Sequence, residues 1–244
     1  MLREKYEASK IIKEFARFAH QYDTYNVIQA EVAKALVDRL PIQKYASILD
    51  IGCGSGEVYK NVLKKEIQFE TFIALDASKE MLDLHPTEAK IRKYTADFNE
   101  TKTYDKVEIL ADEALLLSSS SLQWSKDLDF VFSQLSKKSS KAYFAIFTAN
   151  TFKTLHQTAE LRSPIYSEKV LKEVIQKYYQ ASFETQVYRL AFKTVRDMFN
   201  YIKKSGVSGG EQQLSYKQIK QLMRSYPLDY LEFEVLFVEA TSLV

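Results

Sequence analysis

The sequence is poor in cysteine, histidine, glycine and proline. Its 244 residues include one Cys, three His, six Gly and four Pro. The single Cys53 excludes an intrachain disulfide and fits a reducing compartment. His20, His85 and His156 show no metal-ligand spacing, and one Cys cannot build a zinc set, so no metal is expected. No apolar run is long enough to span a bilayer, and the charged opening MLREKYEASK lacks the apolar core of a signal peptide. These absences lead to the expectation of a soluble, cytoplasmic protein. A nucleophile elbow and a kinase signature are also missing, as is the N-P-P-Y-type motif, which argues against nucleic-acid methylation.

What is present is a large apolar fraction, 46%, with 16 Tyr and 15 Phe. The stretch 46–57, ASILDIGCGSGE, stands out. Ile48, Leu49 and Ile51 read as a buried strand that runs into Gly52-Cys53-Gly54-Ser55-Gly56, with a helix starting near Glu57. Glycines open backbone conformations closed to other residues and let a ligand approach the main chain. Strand, glycine turn and helix N-terminus together form a nucleotide-type cradle at the carboxyl edge of a parallel sheet.

The remaining chain supports that architecture. Residues 1–22 and a second stretch over Ile28, Val32, Leu36 and Leu40 repeat apolar residues at helical spacing, forming a helical lid or flank over residues 1–42. Strands and helices then alternate, with strands at Thr71–Leu75, Lys90–Ala96, Ala114–Leu117 and Ala142–Phe147. This pattern predicts a parallel sheet with right-handed crossovers over 45–150. Ser78 caps a short helix, and Asn99–Asp105 reads as a polar connection. In 151–244, helices over Val170–Tyr179, Thr194–Lys203 and Ser215–Arg224 accompany strands over Ser182–Leu190 and Tyr230–Ala240. The late strands complete the sheet with an antiparallel edge. The whole is expected to be one domain. Between Leu161 and Arg224 stand twelve Lys/Arg against five Asp/Glu, which is either a solvated surface or a docking face for an acidic partner.

Acids end three successive strands: Asp50, Asp76 and Asp97. Their repulsion is explained by a purine nucleoside. Asp76, about twenty residues past the glycines, is placed to accept from both ribose hydroxyls. Asp97 can accept from an adenine amino group, the Phe98 N–H can donate to a ring nitrogen, and Met81 can pack on the adenine face. Ala77 and Ser118, at neighbouring strand ends, join the candidate cofactor contacts. The spacing G-x-G-x-G departs from the dinucleotide fingerprint G-x-G-x-x-G. Asp50 and Glu57 flank it, which disfavours a pyrophosphate and favours a cation. S-adenosyl-L-methionine, with its sulfonium and ammonium and no phosphate, fits. The bland alternative is a tight turn with three solvated acids. The ordered placement of all the elements argues against it. Gln123 and Trp124 form either a packed helix-start anchor or the acceptor-side wall, and His156 is either a packed side chain or a substrate-facing one.

These residues resemble a class I S-adenosylmethionine-dependent methyltransferase with a Rossmann-like sheet. The flanks narrow the resemblance. Phe15-x3-Ala19-x2-Tyr22-Asp23, Ile28-Gln29 and Val32-Ala33 are similar to the N-terminal pattern of malonyl-acyl-carrier-protein O-methyltransferases of biotin synthesis. Ser118–Trp124 resembles that family's S-N-x-A-L-Q-W segment. Leu155-His156-Gln157 and Tyr201-Ile202-Lys203 fall where it has L-H-x and S-L-K. The sequence departs from the family at Glu113-Ala114, at Lys137–Ser140 and at Ser119. The resemblance implies methyl transfer to the free carboxylate of a malonyl thioester, with S-adenosyl-L-homocysteine as product. That carboxylate is ionised at neutral pH, so no catalytic base is expected and catalysis is positioning. Tyr22 would then hydrogen-bond the cofactor's carboxylate. Arg162, Arg189 and Lys203 become candidate readers of the malonyl carboxylate, and an acidic acyl carrier protein becomes the partner of the basic face 161–224. Two alternatives remain open: a methyltransferase for another small metabolite, and a cofactor-binding protein that is non-catalytic or binds RNA.

Overall fold

The computed structural model describes residues 25–107, 114–204 and 214–244. The helix expected over 1–22, with Tyr22, and residues 205–210, SGVSGG, which the sequence reads as a flexible loop, lie outside these residues. Seven strands form one sheet: β1 (Lys44–Ile51), β2 (Gln68–Asp76), β3 (Ile91–Thr95), β4 (Ala114–Ser119), β5 (Lys141–Phe147), β6 (Tyr179–Ala191) and β7 (Tyr230–Ser242). Their order is β3-β2-β1-β4-β5-β7-β6. The first five strands pair in parallel, and β7 is antiparallel to both β5 and β6.

The antiparallel strand is therefore interior, not an edge as the sequence suggests. The edge strand, β6, runs in the same direction as the parallel five. Burial explains the order. β7 is apolar on both faces, with Phe233, Val235 and Phe237 on one and Leu236 and Val238 on the other. A strand buried on both faces belongs inside a sheet. β6 alternates half-buried with exposed residues, as an edge requires.

Helices cover both faces. On one lie α1 (Val27–Asp38), α2 (Glu57–Lys64), α3 (Lys79–Leu84) and α8 (Val195–Lys204). They contribute Val32, Leu36, Val58, Leu82 and Met198 to a core with Ile48, Phe72 and Leu117. On the other face α4 (Thr101–Lys106), α5 (Leu128–Leu135) and α7 (Glu168–Ile175) contribute Tyr104, Phe132 and Leu171 to a core with Leu49, Ile73 and Leu116. Two further helices, α6 (Lys153–Thr158) and α9 (Tyr216–Ser225), complete the late third. Local signals set several starts. Ser78, Asp127 and Ser167 accept a first-turn N–H, and Ser215 forms a capping box with Gln218.

Two further expectations change. The polar stretch Asn99–Asp105 contains α4, because buried Tyr104 anchors it and donates its hydroxyl to the Phe98 carbonyl at 2.6 Å. The helix expected over Val170–Tyr179 ends at Ile175, and Tyr179 instead opens β6. Among the described residues, no helix is long and apolar enough to cross a membrane.

Candidate cofactor cleft

The cleft lies at the carboxyl ends of β1, β2 and β4, under α1. Strand periodicity decides which side chains reach it. Ile48, Phe72 and Leu117 lie in the core under α1, so Asp50 and Ser119, two residues further along their strands, and Asp76, four residues further, point the same way. The cleft holds about 630 Å³ of empty space counted out to its open mouth. Its wall includes Gln29 from α1, the glycine loop, Asp76, Met81, Ser119–Ser121 and Trp124.

The three glycines of the loop have different reasons to be there. All have positive φ: +70° at Gly52, +53° at Gly54 and +90° at Gly56. A Cβ on Gly52 would lie 2.3 Å from Ser121 Cβ, and one on Gly56 would lie 2.8 Å from His85 Cδ2. Those two permit close packing. A Cβ on Gly54 would meet only Met81 Cε at 3.4 Å, so this glycine fronts the cleft. The loop's N–H groups are mostly engaged within the protein. Gly52 and Cys53 donate to the Leu75 carbonyl, Gly56 donates to Cys53, and Gly54 donates to Asp76 Oδ2 at 2.9 Å. A phosphate cradle aims such groups at its ligand; this one does not.

The charge here is negative. Asp76 accepts the Gly54 N–H on one oxygen and the Ser78 N–H, at 2.8 Å, on the other. Burial raises its carboxyl above the ordinary range, and the N–H groups of Ser78, Gly54 and Ala77 oppose that rise. Asp50 is fully buried and neither oxygen has a partner. Burial first, and then the Asp76 charge, push its carboxyl well up. Burial likewise raises the Cys53 thiol. Glu57 lines the mouth and pairs with Lys60 at 2.7 Å. Buried polar atoms without partners gather around the cleft: Gln29 Oε1, Ser55 Oγ, Trp124 Nε1 and both Asp50 oxygens. Apart from the Trp124 indole N–H, which only donates, these are acceptors or acids, and they fit a cationic, polar ligand.

The structure brings Gly52, Gly54, Asp76, Met81 and Trp124 together on the wall. Gly56 and Asp50 lie behind it, and Ala77 contributes its N–H to Asp76. Other candidates stand elsewhere. Ser118 shares the face of Leu116, and its hydroxyl donates to the Ile51 carbonyl at 2.8 Å. Asp97 accepts the Asn99 N–H and lies 3.6 Å from Lys126 Nζ, and Phe98 is packed in the opposite core. Gln123 is buried, with Nε2 donating to the Ser120 carbonyl at 2.7 Å. Arg162 is exposed in the α6–α7 connection. Arg189 is exposed on β6, its guanidinium 5.1 Å from the Tyr230 ring centre. Lys203 lies in α8, with its side chain outside the described residues. His85 packs behind Gly56, His156 sits against Phe152, and burial lowers both imidazoles. Sequence reasoning gave no site role to Gln29, Ser120 or Ser121, and it placed Ser119 at the end of β4 beside Ser118 without choosing between them. The i,i+4 spacing of Gln29 and Ala33 on one helix face, and the period of two in β4, were the available signals.

The strand order, with one antiparallel strand between β5 and β6, and the cleft at the carboxyl edge are those of the class I methyltransferase fold. The chain resembles the YcgJ protein from Bacillus subtilis (TM-score 0.62, 11% identity, 86% of this chain and 98% of that one). It also resembles the Haemonchus contortus phosphoethanolamine N-methyltransferase 2 in complex with S-adenosyl-L-methionine (TM-score 0.53, 16% identity, 86% and 52%). In sequence the chain is similar to malonyl-[acyl-carrier protein] O-methyltransferases. It is 29% identical to that of Halalkalibacterium halodurans over 61% of this chain and 59% of the relative. It is 26% identical to the Acetivibrio thermocellus protein over 87% and 83%, and 27% identical to the Priestia megaterium protein over 88% and 88%. The first of these matches thus spans less than two thirds of the relative's length. No protein-family model matches the chain.

Proposed function

We propose that the protein binds S-adenosyl-L-methionine in this cleft and methylates the free carboxylate of a malonyl thioester carried on acyl carrier protein, an early step of biotin synthesis. The observation that carries the reading is the acid-lined glycine loop whose N–H groups are turned inward, which suits a cation and not a phosphate. The similarity to malonyl-[acyl-carrier protein] O-methyltransferases supports the acceptor. Bound there, the cofactor supplies an electrophilic methyl group on a sulfonium. Asp76 orients the ribose, Met81 packs on the base, and Gly54 leaves the main chain open beside them. Asp50 adds negative potential beneath the loop. Tyr22 meets the cofactor's edge, and the Asp97 carboxylate and the Phe98 N–H meet its base, while Ser118 is set aside because its hydroxyl is committed to the Ile51 carbonyl. The acceptor carboxylate is ionised at neutral pH, so the protein's task is alignment and exclusion of water. The excess of Lys/Arg over Asp/Glu in 161–224 suits an acidic carrier protein, which long-range attraction steers to the cleft.

The test is transfer of label from methyl-labelled cofactor to malonyl-acyl carrier protein and to malonyl-coenzyme A, together with biotin-independent growth of a host lacking this step. Transfer to the carrier-bound acceptor and rescue of growth are expected. Cofactor binding with no transfer to either thioester would sink the acceptor assignment while leaving the cofactor site standing.

A further inference from the structure

The cations between 161 and 224 differ in what answers them. In α7, Lys169 lies 3.8 Å from Glu173 and Lys172 lies 2.5 Å from Glu168, and Lys177, just past the helix, lies 2.6 Å from Asp129. Those charges are matched within the protein. α9 is built otherwise. Its sequence, YKQIKQLMRS, holds three cations and no acid. Lys217, Lys220 and Arg224 stand at i, i+3 and i+7 on one exposed face. Among the described residues, none of the three pairs with an acid. Like charges at this spacing destabilise a helix, so the helix alone gives no reason for them. Tyr216 adds a ring that is 72% exposed, with Lys220 Nζ 4.6 Å from its centre. Exposed Tyr and Arg are the side chains that dominate interface energetics. The helix is held firmly behind this face. A capping box starts it, buried Leu222 anchors it, and the Tyr226 hydroxyl just after it donates to the Tyr230 carbonyl at 3.0 Å.

Topology sets α9 at the edge where the cleft opens. β6 runs with the parallel strands, and its last residue, Ala191, pairs with Tyr230 at the start of β7. The segment 192–229 between them therefore leaves and re-enters the sheet at the carboxyl edge. Within it α9 packs on α8. The Tyr201 ring of α8 lies 6.2 Å from that of Tyr25, just before α1, centre to centre. α1 in turn supplies Gln29 to the cleft wall.

We propose that the face of α9 formed by Tyr216, Lys217, Lys220 and Arg224 docks an acidic surface of the acyl carrier protein and so delivers its thioester to the cleft. The proposal rests on the carrier-bound acceptor read above, and it narrows the docking face to one helix. Charge complementarity selects the partner: three unanswered cations attract an acidic protein and steer its encounter. A nucleic acid fits less well. Its backbone carries charge far beyond three contacts, and the charged side chains on the wall of the cleft at this edge, Glu57 and Asp76, would repel it.

The test uses the full chain with two acceptors, malonyl-acyl carrier protein and malonyl-pantetheine, which offers the same thioester without the protein. Lys217→Glu/Lys220→Glu should lower kcat/KM for the carrier-bound acceptor roughly tenfold to a hundredfold at low salt, and change it by less than about twofold for malonyl-pantetheine. Added salt should slow the parent on the carrier and slow the variant much less. The same change of charge beside α7, Lys169→Glu/Lys177→Glu, should cost the carrier less than about threefold. Lys217→Gln/Lys220→Gln should act in the direction of the reversal but by less, and it carries the test if thermal melting shows that the reversal unfolds the chain. Unchanged carrier kcat/KM in folded α9 variants, or equal losses from the two reversals, overturns the docking face alone. An equal fall with malonyl-pantetheine also overturns it, because α9 would then act on the site and not on the carrier. Salt-sensitive binding of bulk tRNA that Lys217→Glu/Lys220→Glu abolishes, with carrier transfer intact, overturns it in favour of a nucleic acid. A parent protein that binds S-adenosyl-L-homocysteine yet methylates neither thioester overturns the acceptor reading and the docking face with it.

Discussion

The glycine-loop half of the molecule and the β6–β7 half are built by different rules. Around β1, β2 and β4 the chain is held by backbone requirements: positive φ at three glycines, N–H groups donated to Leu75 and Asp76, and a capping serine before α3. Around β7 it is held by rings. Phe233 packs 5.0 Å from Phe152, 6.1 Å from Phe147 and 6.4 Å from Tyr201, centre to centre, and is fully buried. Backbone requirements appear as residue types at fixed local spacing. Ring packing joins residues far apart in the chain. The comparison predicts that one half fails by cavity and the other by strain.

The largest expected effect belongs to the ring-packed half. Phe233→Ala removes the hub shared by β5, the residue capping α6 and α8 and should cost about 3–5 kcal/mol, seen as a lower urea midpoint with little change in slope. A loss below about 1 kcal/mol would show that this half tolerates repacking and would erase the contrast. Next comes the loop. Gly52→Ala adds a left-handed penalty of about 1–2 kcal/mol and a steric cost of about 1–3 kcal/mol against Ser121. Gly54→Ala carries the first term without the second, since its added Cβ meets only the flexible end of Met81. Gly52→Ala should therefore melt well below Gly54→Ala, while Gly54→Ala weakens cofactor binding in a protein that remains folded. Equal melting of the two would refute the division of roles among the glycines.

That difference in building rules decides what can be read from the sequence. The cradle was legible because its backbone demands show as residue types: positive φ as three glycines at G-x-G-x-G spacing, a helix start as Ser78, and acids at the ends of apolar strands as Asp50 and Asp76. The α/β alternation was legible for the same reason: Ile48–Ile51 and Ala142–Phe147 each fill their strands with apolar residues. The order of the late strands was not. It depends on β7 being apolar on both faces while β6 is not, a comparison across some fifty residues of chain. The site blurred where one position decides the face. Ser118 and Ser119 are adjacent and chemically alike, but only Ser119 faces the cleft. Asp97 fits the pattern of acids at strand ends, and in the structure its carboxylate braces the turn at Asn99.

A smaller effect probes the acid beneath the loop. Burial raises the Asp50 carboxyl well above its unfolded value. The folded state then keeps a proton that the unfolded chain releases, so stability falls as pH rises from the ordinary carboxylate range through the raised value. Below both values Asp50 contributes no slope. Asp50→Asn, of the same shape and never ionised, should match the parent near pH 3 and exceed it by about 1–3 kcal/mol at pH 8 in the absence of cofactor. Thermal unfolding at the two pH values checks this. A variant less stable than the parent at pH 8 would mean that the charged carboxylate is supported by the fold.

The smallest effect lies where the two halves touch. Arg39, at the end of α1, reaches across the sheet to Glu184 on β6 at 2.8 Å and stacks on the Phe237 ring, 3.9 Å from its centre. Its other nitrogen donates to the Ala35 carbonyl at 2.7 Å. Glu184 is more than half exposed, so the ion pair is screened and worth about 0.2–1 kcal/mol. The stacking on Phe237 and the carbonyl bond survive when Glu184 is changed. Glu184→Gln should thus cost less than about 1 kcal/mol, and Arg39→Ala more, because it also uncovers an aromatic face. A double-mutant cycle separates the terms. A coupling near zero with a large single effect for Arg39→Ala would show that the halves are joined through the ring, by the same packing rule that governs β7. A coupling equal to the whole Arg39 effect would show that charge alone joins them, and the contrast between the halves would then stop at their boundary.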